Sequence, residues 1–373
     1  MALPIGCAGV PRTPGTPRPS AEVTKTDVFA GGRDGYHTYR IPALVTTARG
    51  TLLAFVEGRK DGRGDHGDID LLVKRSHDGG RTWSAQAVVH EEGGSQKITI
   101  GNPSPVLDRD TGTLWLPFTR DNRDVLVTHS SDGGVTWASP VDITADVKRP
   151  GWGWYATGPG VGIQLRHGRY RGRLIVPSDH RERIGERWVK HSHVFFSDDH
   201  GRSWRLGGTV APHTDECQVA ELSDGTLVIS MRNYWGLDGG QPEKGARRAL
   251  AWSHDGGETW SPPAFDSTLV EPVCQASLLR YRPGARGDRR LIFANPATPD
   301  RRVRLTVRVS PDDGRNWPLS RVLEAGPSAY SSIAVLPDGS VGVLYERGDE
   351  HPYERVTFAR FGLDWLAASA GAP

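Results

Sequence analysis

Cysteine is scarce: the chain has 373 residues and only three cysteines, Cys7, Cys217 and Cys274. That is too few for a disulfide framework. Cys217 and Cys274 are each followed by Gln and lie 57 residues apart, so they read as buried packing thiols at equivalent places in neighbouring units. No apolar run approaches the ~20 residues of a membrane span, and no long amphipathic helical pattern is present. Charge of one sign is missing too. Lys and Arg total 46 against 44 Asp and Glu, a net +2 without basic runs, so neither nucleic acid nor a membrane surface is an expected partner. The start of the chain has Pro and Arg where a signal peptide would have an apolar core. Residues 1–25 read as a disordered tail, and localisation is left open. Metal-ligand patterns are equally thin. Asp65, Asp68 and Asp70 do not follow calcium-loop spacing, and His191 and His193 share a strand face without a third ligand nearby, so no metal and no cofactor is expected.

Glycine, proline and tryptophan are plentiful, at 46, 27 and 12 residues. They concentrate in an eight-residue phrase, first seen as Ser76-His77-Asp78-Gly79-Gly80-Arg81-Thr82-Trp83 and repeated from Ser130, Ser197, Ser253 and Ser310. The common pattern is S-x-D-x-G-x-[TSN]-W, recurring every 54–67 residues, which is the signature of a propeller or array. Asp followed by Gly-Gly makes a tight turn, in which the glycines take positive φ and the carboxylate accepts backbone N–H groups. The Trp supplies a large ring to bury. Between boxes come turn-plus-strand couplets such as Asp224-Gly225-Thr226-Leu227-Val228-Ile229 and Asp338-Gly339-Ser340-Val341. Residues 26–373 divide into six units of 58, which matches the box spacing. The expected fold is an all-β six-bladed propeller in one domain over residues 26–373, with Phe358–Phe361 as a last strand and residues 363–370 as a short helix.

Register adds to this. Glu216, Cys274 and Tyr330 each follow their box by 19–21 residues, which makes them equivalent positions on one strand type. Arg232 follows Glu216 by 16 residues, and Glu346 follows Tyr330 by the same 16. If that strand is innermost, polar residues from several blades converge on the mouth of the axis.

Tyr39-Arg40-Ile41-Pro42, the multiple Asp boxes and Trp152-Gly153-Trp154-Tyr155-Ala156-Thr157-Gly158-Pro159-Gly160 together resemble the sialidases, in particular their small bacterial catalytic domains. The resemblance runs from about Tyr39 to Leu366. It implies that Arg40, Arg232 and Arg302 bind the substrate carboxylate, with Arg301 and Arg304 as alternatives for the third. It further implies that Glu346 orients Arg40, that Arg59 lies near the C4 hydroxyl, and that Asp65 is the acid/base. Tyr330 would be the nucleophile and Glu216 its partner. The chemistry suits these residue types. Guanidinium groups grip a carboxylate by charge-assisted, bidentate bonds that lysine cannot supply. A carboxylate nucleophile would be repelled by the substrate's own negative charge, whereas a tyrosine hydroxyl with a nearby base would not.

The expected reaction is retaining hydrolysis of terminal α-linked sialic acids from glycoproteins, glycolipids and oligosaccharides by a monomer. Two alternatives share the fold: a glycosidase that prefers Kdn or another nonulosonic acid, and a non-catalytic sugar- or protein-binding propeller. Transfer in place of hydrolysis is a further option. Asn102 stands where many sialidases have Asp. Arg120, Asp121 and Arg149 are expected to give the pocket for the C5 substituent a polar wall, which would suit a free hydroxyl better than an acetamido methyl.

Overall fold

The computed structural model describes residues 22–94, 96–281 and 287–367. They form an all-β, propeller-like arrangement of five antiparallel sheets. Strands Thr38–Thr46, Leu52–Arg59, Ile69–Ser76 and Ala87–His90 make the first sheet. The second is built on Leu114–Arg120 and Asp124–Ser130, the third on Leu174–Ile184 and Arg187–Ser197, and the fourth runs from Thr214–Glu221 to Ala264–Val270. The last sheet has seven strands, and Leu319–Val335 is long enough to pair with Val303–Ser310 over its first half and Val341–Arg347 over its second. Its edge strand is Thr24–Ala30, which pairs antiparallel with Arg355–Phe361 and so joins the two ends of the chain. This strand begins two residues ahead of the expected boundary at Thr26; the expected tail up to residue 21 lies outside the described residues. Helix among the described residues is confined to short turns, including Leu363–Ala367 in place of the expected 363–370, whose last residues are likewise outside them.

Each box closes on itself and on a neighbour. The Ser76 hydroxyl donates to Asp78 at 2.8 Å and accepts the Gly80 N–H at 2.8 Å, while Asp78 accepts the Thr82 N–H and hydroxyl at 3.0 and 2.6 Å. The same pattern recurs in the other four boxes, with the Asn316 amide taking the hydroxyl's place in the last. Gly80 has φ 88°, and a Cβ there would meet the Phe358 ring at 2.0 Å. Trp83 packs against Phe358 (5.4 Å between centroids), Trp137 against Phe55 (5.7 Å) and Trp204 against Trp115 (6.1 Å), each partner coming from the adjacent sheet. The boxes are therefore latches between sheets as well as turns.

The first strands of the sheets meet at the centre through polar side chains. Gln218 and Gln275 both donate to the Pro159 carbonyl, Ser277 and Ser331 share a 2.9 Å hydrogen bond, and Ser332 accepts the Leu44 N–H at 2.9 Å. Three of these strands carry a bulge at the same end: between Arg40 and Ala43, between Thr214 and Cys217, and between Ser328 and Ser331. A bulge breaks the two-residue alternation and re-aims side chains. Pro42, which has no N–H, sits in the first of them, and Ile41 takes φ 59°, a value rarely adopted by a β-branched residue.

Arg248 and Glu271 form an ion pair with no exposed surface on either side chain, their atoms 2.5 Å apart. Arg248 also donates to Ser230 Oγ and to the Cys274 carbonyl. Arg248→Ala leaves Glu271 charged and unpaired in the core, so chemical denaturation is expected to show a loss of about 3–5 kcal/mol. A midpoint equal to that of wild type would show the pair to be dispensable.

Candidate active site

The three bulges deliver Arg40, Glu216 and Tyr330 to one place. Tyr330 Oη donates a short hydrogen bond to Glu216 Oε1, and Arg232 donates through Nη1 to Glu216 Oε2 (2.8 Å) and to Tyr330 Oη (3.2 Å). Burial and the Glu216 carboxylate push the Tyr330 phenol well above its ordinary value, against the pull of Arg232, Arg302 and Arg40. It is therefore neutral at rest. The guanidinium carbons of Arg40 and Arg302 lie 4.8 and 5.6 Å from the Tyr330 ring centroid. Arg302 also donates to the Tyr353 hydroxyl at 2.5 Å, whereas Arg301 and Arg304 point to solvent. Of the three candidates for the third arginine, Arg302 is the one at Tyr330.

Glu346 is fully buried and binds on both sides. It accepts Arg40 Nε at 3.0 Å and Nη2 at 3.3 Å, the Ile41 N–H at 3.0 Å and the Tyr330 N–H at 3.1 Å. Arg40 remains charged: burial opposes its charge, but Glu346, Tyr353 and Tyr330 together outweigh burial. The Tyr353 ring lies 3.8 Å from the Arg40 guanidinium carbon.

Asp65 projects from the glycine-rich loop with its side chain 61% exposed, within 2.9 Å of Arg59 Nη1 and 3.4 Å of Arg40 Nη1. Burial alone would push its carboxyl up, but Arg59 and then Arg40 outweigh it and hold it below the ordinary carboxylate range. Arg59 is more committed than its expected role suggests. Besides Asp65 it donates to both the Arg63 and Gly64 carbonyls and twice to Glu57, so it fastens the Asp65 loop to its strand. Glu57, absent from the expected set, also accepts the Asn102 N–H at 2.9 Å.

A cavity of about 160 Å³ is lined by Asp65, Glu216, Arg232, Arg59 and Tyr330 together with Asn102, Asn122, Trp154, Asp179, Arg181, Asp215 and Tyr234. The expected polar wall has different owners. Arg120 pairs with Glu92 and Asp124, Asp121 accepts the Thr99 N–H, and Arg149 lies 5.9 Å from the Trp152 ring, none of them lining the cavity. The strand Leu174–Ile184 supplies Asp179 and Arg181 in their place. Cys274 is buried in the cluster with Ile41, Ala329 and Tyr330, and Cys217 is buried as well; both thiols are free. Cys7 lies outside the described residues. His191 and His193 sit with His180 in the third sheet, where His180 stacks on Trp152. A second, more apolar cavity is lined by Leu44, Ala220, Leu279 and Ile333, on the far side of the bulges from Arg40, Glu216 and Tyr330.

A repeat propeller with a ring of arginines around a tyrosine–carboxylate pair defines the class, and comparison with known proteins narrows it. Residues 50–343 match the BNR repeat-like domain family. The chain is 37% identical to a sialidase of Micromonospora viridifaciens, over 96% of its own length and 56% of that protein's. It is 32% identical to an exo-alpha-sialidase of Aspergillus fumigatus, over 93% of this chain and 89% of that one. The solved structure of a Hadza microbial sialidase matches with a TM-score of 0.80 at 30% identity, covering 92% of this chain and 69% of that one. The chain belongs to the sialidase family. It spans little more than half the length of the Micromonospora relative.

Proposed function

We propose that the chain is a retaining exo-α-sialidase that hydrolyses terminal α-linked sialic acids on glycoproteins, glycolipids and oligosaccharides through a Tyr330-linked intermediate. The observation that carries this reading is the Tyr330–Glu216 hydrogen bond, a neutral phenol held against a carboxylate that can take its proton. A binding propeller has no need of that pair. Arg40, Arg232 and Arg302 grip the carboxylate on the anomeric carbon, and Glu346 holds Arg40 in place. Counting the seven-stranded sheet as two blades that share Leu319–Val335 gives six blades in one catalytic unit, which acts as a monomer.

The displacement then runs in two balanced steps. Tyr330 Oη forms a bond to the anomeric carbon as its proton passes to Glu216, and the glycosidic bond breaks with its oxygen taking a proton from Asp65. Water next loses a proton to Asp65 and attacks the same carbon, while the tyrosine leaves and recovers its proton from Glu216. Asp65 is ionised in the free site because Arg40 and Arg59 face it. The incoming substrate carboxylate takes over Arg40, which loosens that hold and lets Asp65 carry a proton.

The test is fluorescence release from aryl α-glycosides of Neu5Ac and Kdn, with Arg40→Ala as the blank. Turnover of either above the blank supports the reading; turnover of neither sinks it. Asp65→Ala should slow natural glycosides by roughly 10²–10⁴-fold, and substrates with strongly acidic leaving groups far less, since those need little protonation. Equal losses on both substrates would remove Asp65 from the acid role.

A further inference from the structure

Apart from Glu57, which is engaged by Arg59 and the Asn102 N–H, two acids in the cavity are left unused by the displacement. Asp179 and Asp215 both line it and both are buried, Asp179 with only 2% of its surface exposed. They come from neighbouring sheets: Asp179 pairs with Ala156 in the third, and Asp215 occupies the bulge ahead of Glu216 in the fourth. Asp215 Oδ1 accepts the Glu216 N–H at 2.8 Å. Oδ2 of Asp179 accepts no amide, hydroxyl or guanidinium hydrogen, and the side-chain group beside Asp179 is the Asp215 carboxyl. The cations nearby are engaged elsewhere, Arg232 on Glu216 and Tyr330, and Arg181 against the Trp154 ring at 5.0 Å. A buried carboxyl oxygen without a donor is costly unless a ligand supplies one.

Protonation follows from the crowding. Asp179, Asp215 and Glu216 cannot all be ionised so close together in a buried site. Burial, then the charges of Asp215 and Glu216, then a hydrogen bond to Asp215 push the Asp179 carboxyl well up, against the smaller pull of Arg181. Asp215 moves the same way, because burial outweighs Arg232 and Glu216 adds to it. Glu216 is the acid that faces Tyr330, and Arg232 pairs with it at 2.8 Å.

We propose that Asp179, backed by Asp215, determines specificity in this cavity: its carboxyl group hydrogen-bonds a hydroxyl of the bound sugar, selecting a nonulosonic acid that presents a hydroxyl here over one that presents an acyl methyl. This rests on the hydrolase reading above. A hydroxyl can answer both a donor and an acceptor, whereas a methyl leaves both unpaired. The same chemistry has two sources on such a sugar, a free hydroxyl at C5 or a hydroxyl of the polyol chain.

The experiment compares kcat/KM for 4-methylumbelliferyl α-glycosides of Kdn, Neu5Ac and a Neu5Ac analogue with a truncated polyol chain, using wild type, Asp179→Ala and Asp179→Asn. Asp179→Ala is expected to lower kcat/KM at least 100-fold for the glycoside that presents the hydroxyl and only a few-fold for the one that lacks it. Collapse of the Kdn-to-Neu5Ac ratio identifies the C5 hydroxyl; collapse of the Neu5Ac-to-truncated ratio identifies the polyol chain. Asp179→Asn, neutral and of the same shape, is expected to restore most of what alanine loses. Both ratios unchanged in Asp179→Ala would overturn the inference, as would Asn falling as far as Ala, which would mean that the site needs a charge. Wild type that cleaves none of the three would remove the hydrolase reading, and this inference with it. Should the alanine variant fail to fold, the asparagine ratios are read beside infrared spectra. A protonated-carboxyl band at neutral pH in wild type that loses intensity in Asp179→Asn supports the inference; no such band in wild type, or a band unchanged in Asp179→Asn, overturns it.

Discussion

Tyr330→Phe should fold normally and lose roughly 10⁴-fold or more in kcat, the scale on which a covalent nucleophile is missed. The ring remains, so the packing against Ile41, Cys274 and Ala329 is kept, as is the stacking of Arg40 and Arg302. Only the hydroxyl is deleted, with its bonds to Glu216 and Arg232. Glu216 keeps its ion pair with Arg232 at 2.8 Å, so no buried charge is left alone and stability should move by no more than about 1–2 kcal/mol. The split between intact stability and lost turnover separates a nucleophile from a packing tyrosine. Trapping gives a second measure: a 2,3-difluoro nonulosonic acid, which leaves its C2 fluoride, should add one 3-fluoro sugar to wild type on a peptide containing Tyr330 and none to the phenylalanine variant. Turnover within tenfold of wild type, or labelling of Tyr330→Phe at another residue, would move the nucleophile away from Tyr330.

Much of this arrangement was legible because the chain repeats itself. Five boxes give the sheet spacing, and equal offsets from the boxes place Glu216 and Tyr330 on matching strands. Asp215 was not legible, for a physical reason. In a regular strand neighbours point to opposite faces, so reading Glu216 as inward sends Asp215 outward. The bulge between Thr214 and Cys217 cancels that alternation, and both acids line the cavity. Bulges leave little local signal, and Pro42 marks only the one at Arg40. Asp179, Arg181 and Tyr353 were missed because their roles depend on which strands and loops meet across sheets. Arg302 could not be told from Arg301 and Arg304 by offset alone; burial beside Tyr330 and Tyr353 distinguishes it. Arg59 lines the cavity, but its N–H groups are shared between Glu57 on its own strand and the loop that carries Asp65, which a motif match does not reveal. The opening strand at Thr24 escaped notice because Thr24-Lys25-Thr26 is polar, and its pairing partner is the last strand of the chain.

Glu346→Ala should do what Tyr330→Phe does not, and damage stability and turnover together. This one carboxylate joins the first bulge to the last, accepting two donors of Arg40 and the backbone N–H groups of Ile41 and Tyr330. Removing it leaves a buried guanidinium whose remaining carboxylate partner is Asp65, 3.4 Å away and largely exposed. It also strands two buried N–H groups, one of them on Ile41, whose φ of 59° is held in part by that bond. Breaking a buried ion pair from one side costs about 3–5 kcal/mol, so the denaturation midpoint should fall clearly. In the variant that still folds, KM should rise because Arg40 is no longer aimed, and kcat should fall because the Tyr330 backbone is released. Glu346→Gln keeps the shape and one acceptor oxygen but turns an amide NH2 toward donors, so it should lie between alanine and wild type on both measures. The order wild type, Gln, Ala is expected in the midpoint and in kcat/KM alike. An alanine variant with an unchanged midpoint would mean that Arg40 is held by Tyr353 and Asp65 alone, and Glu346 would then have no part in aiming it.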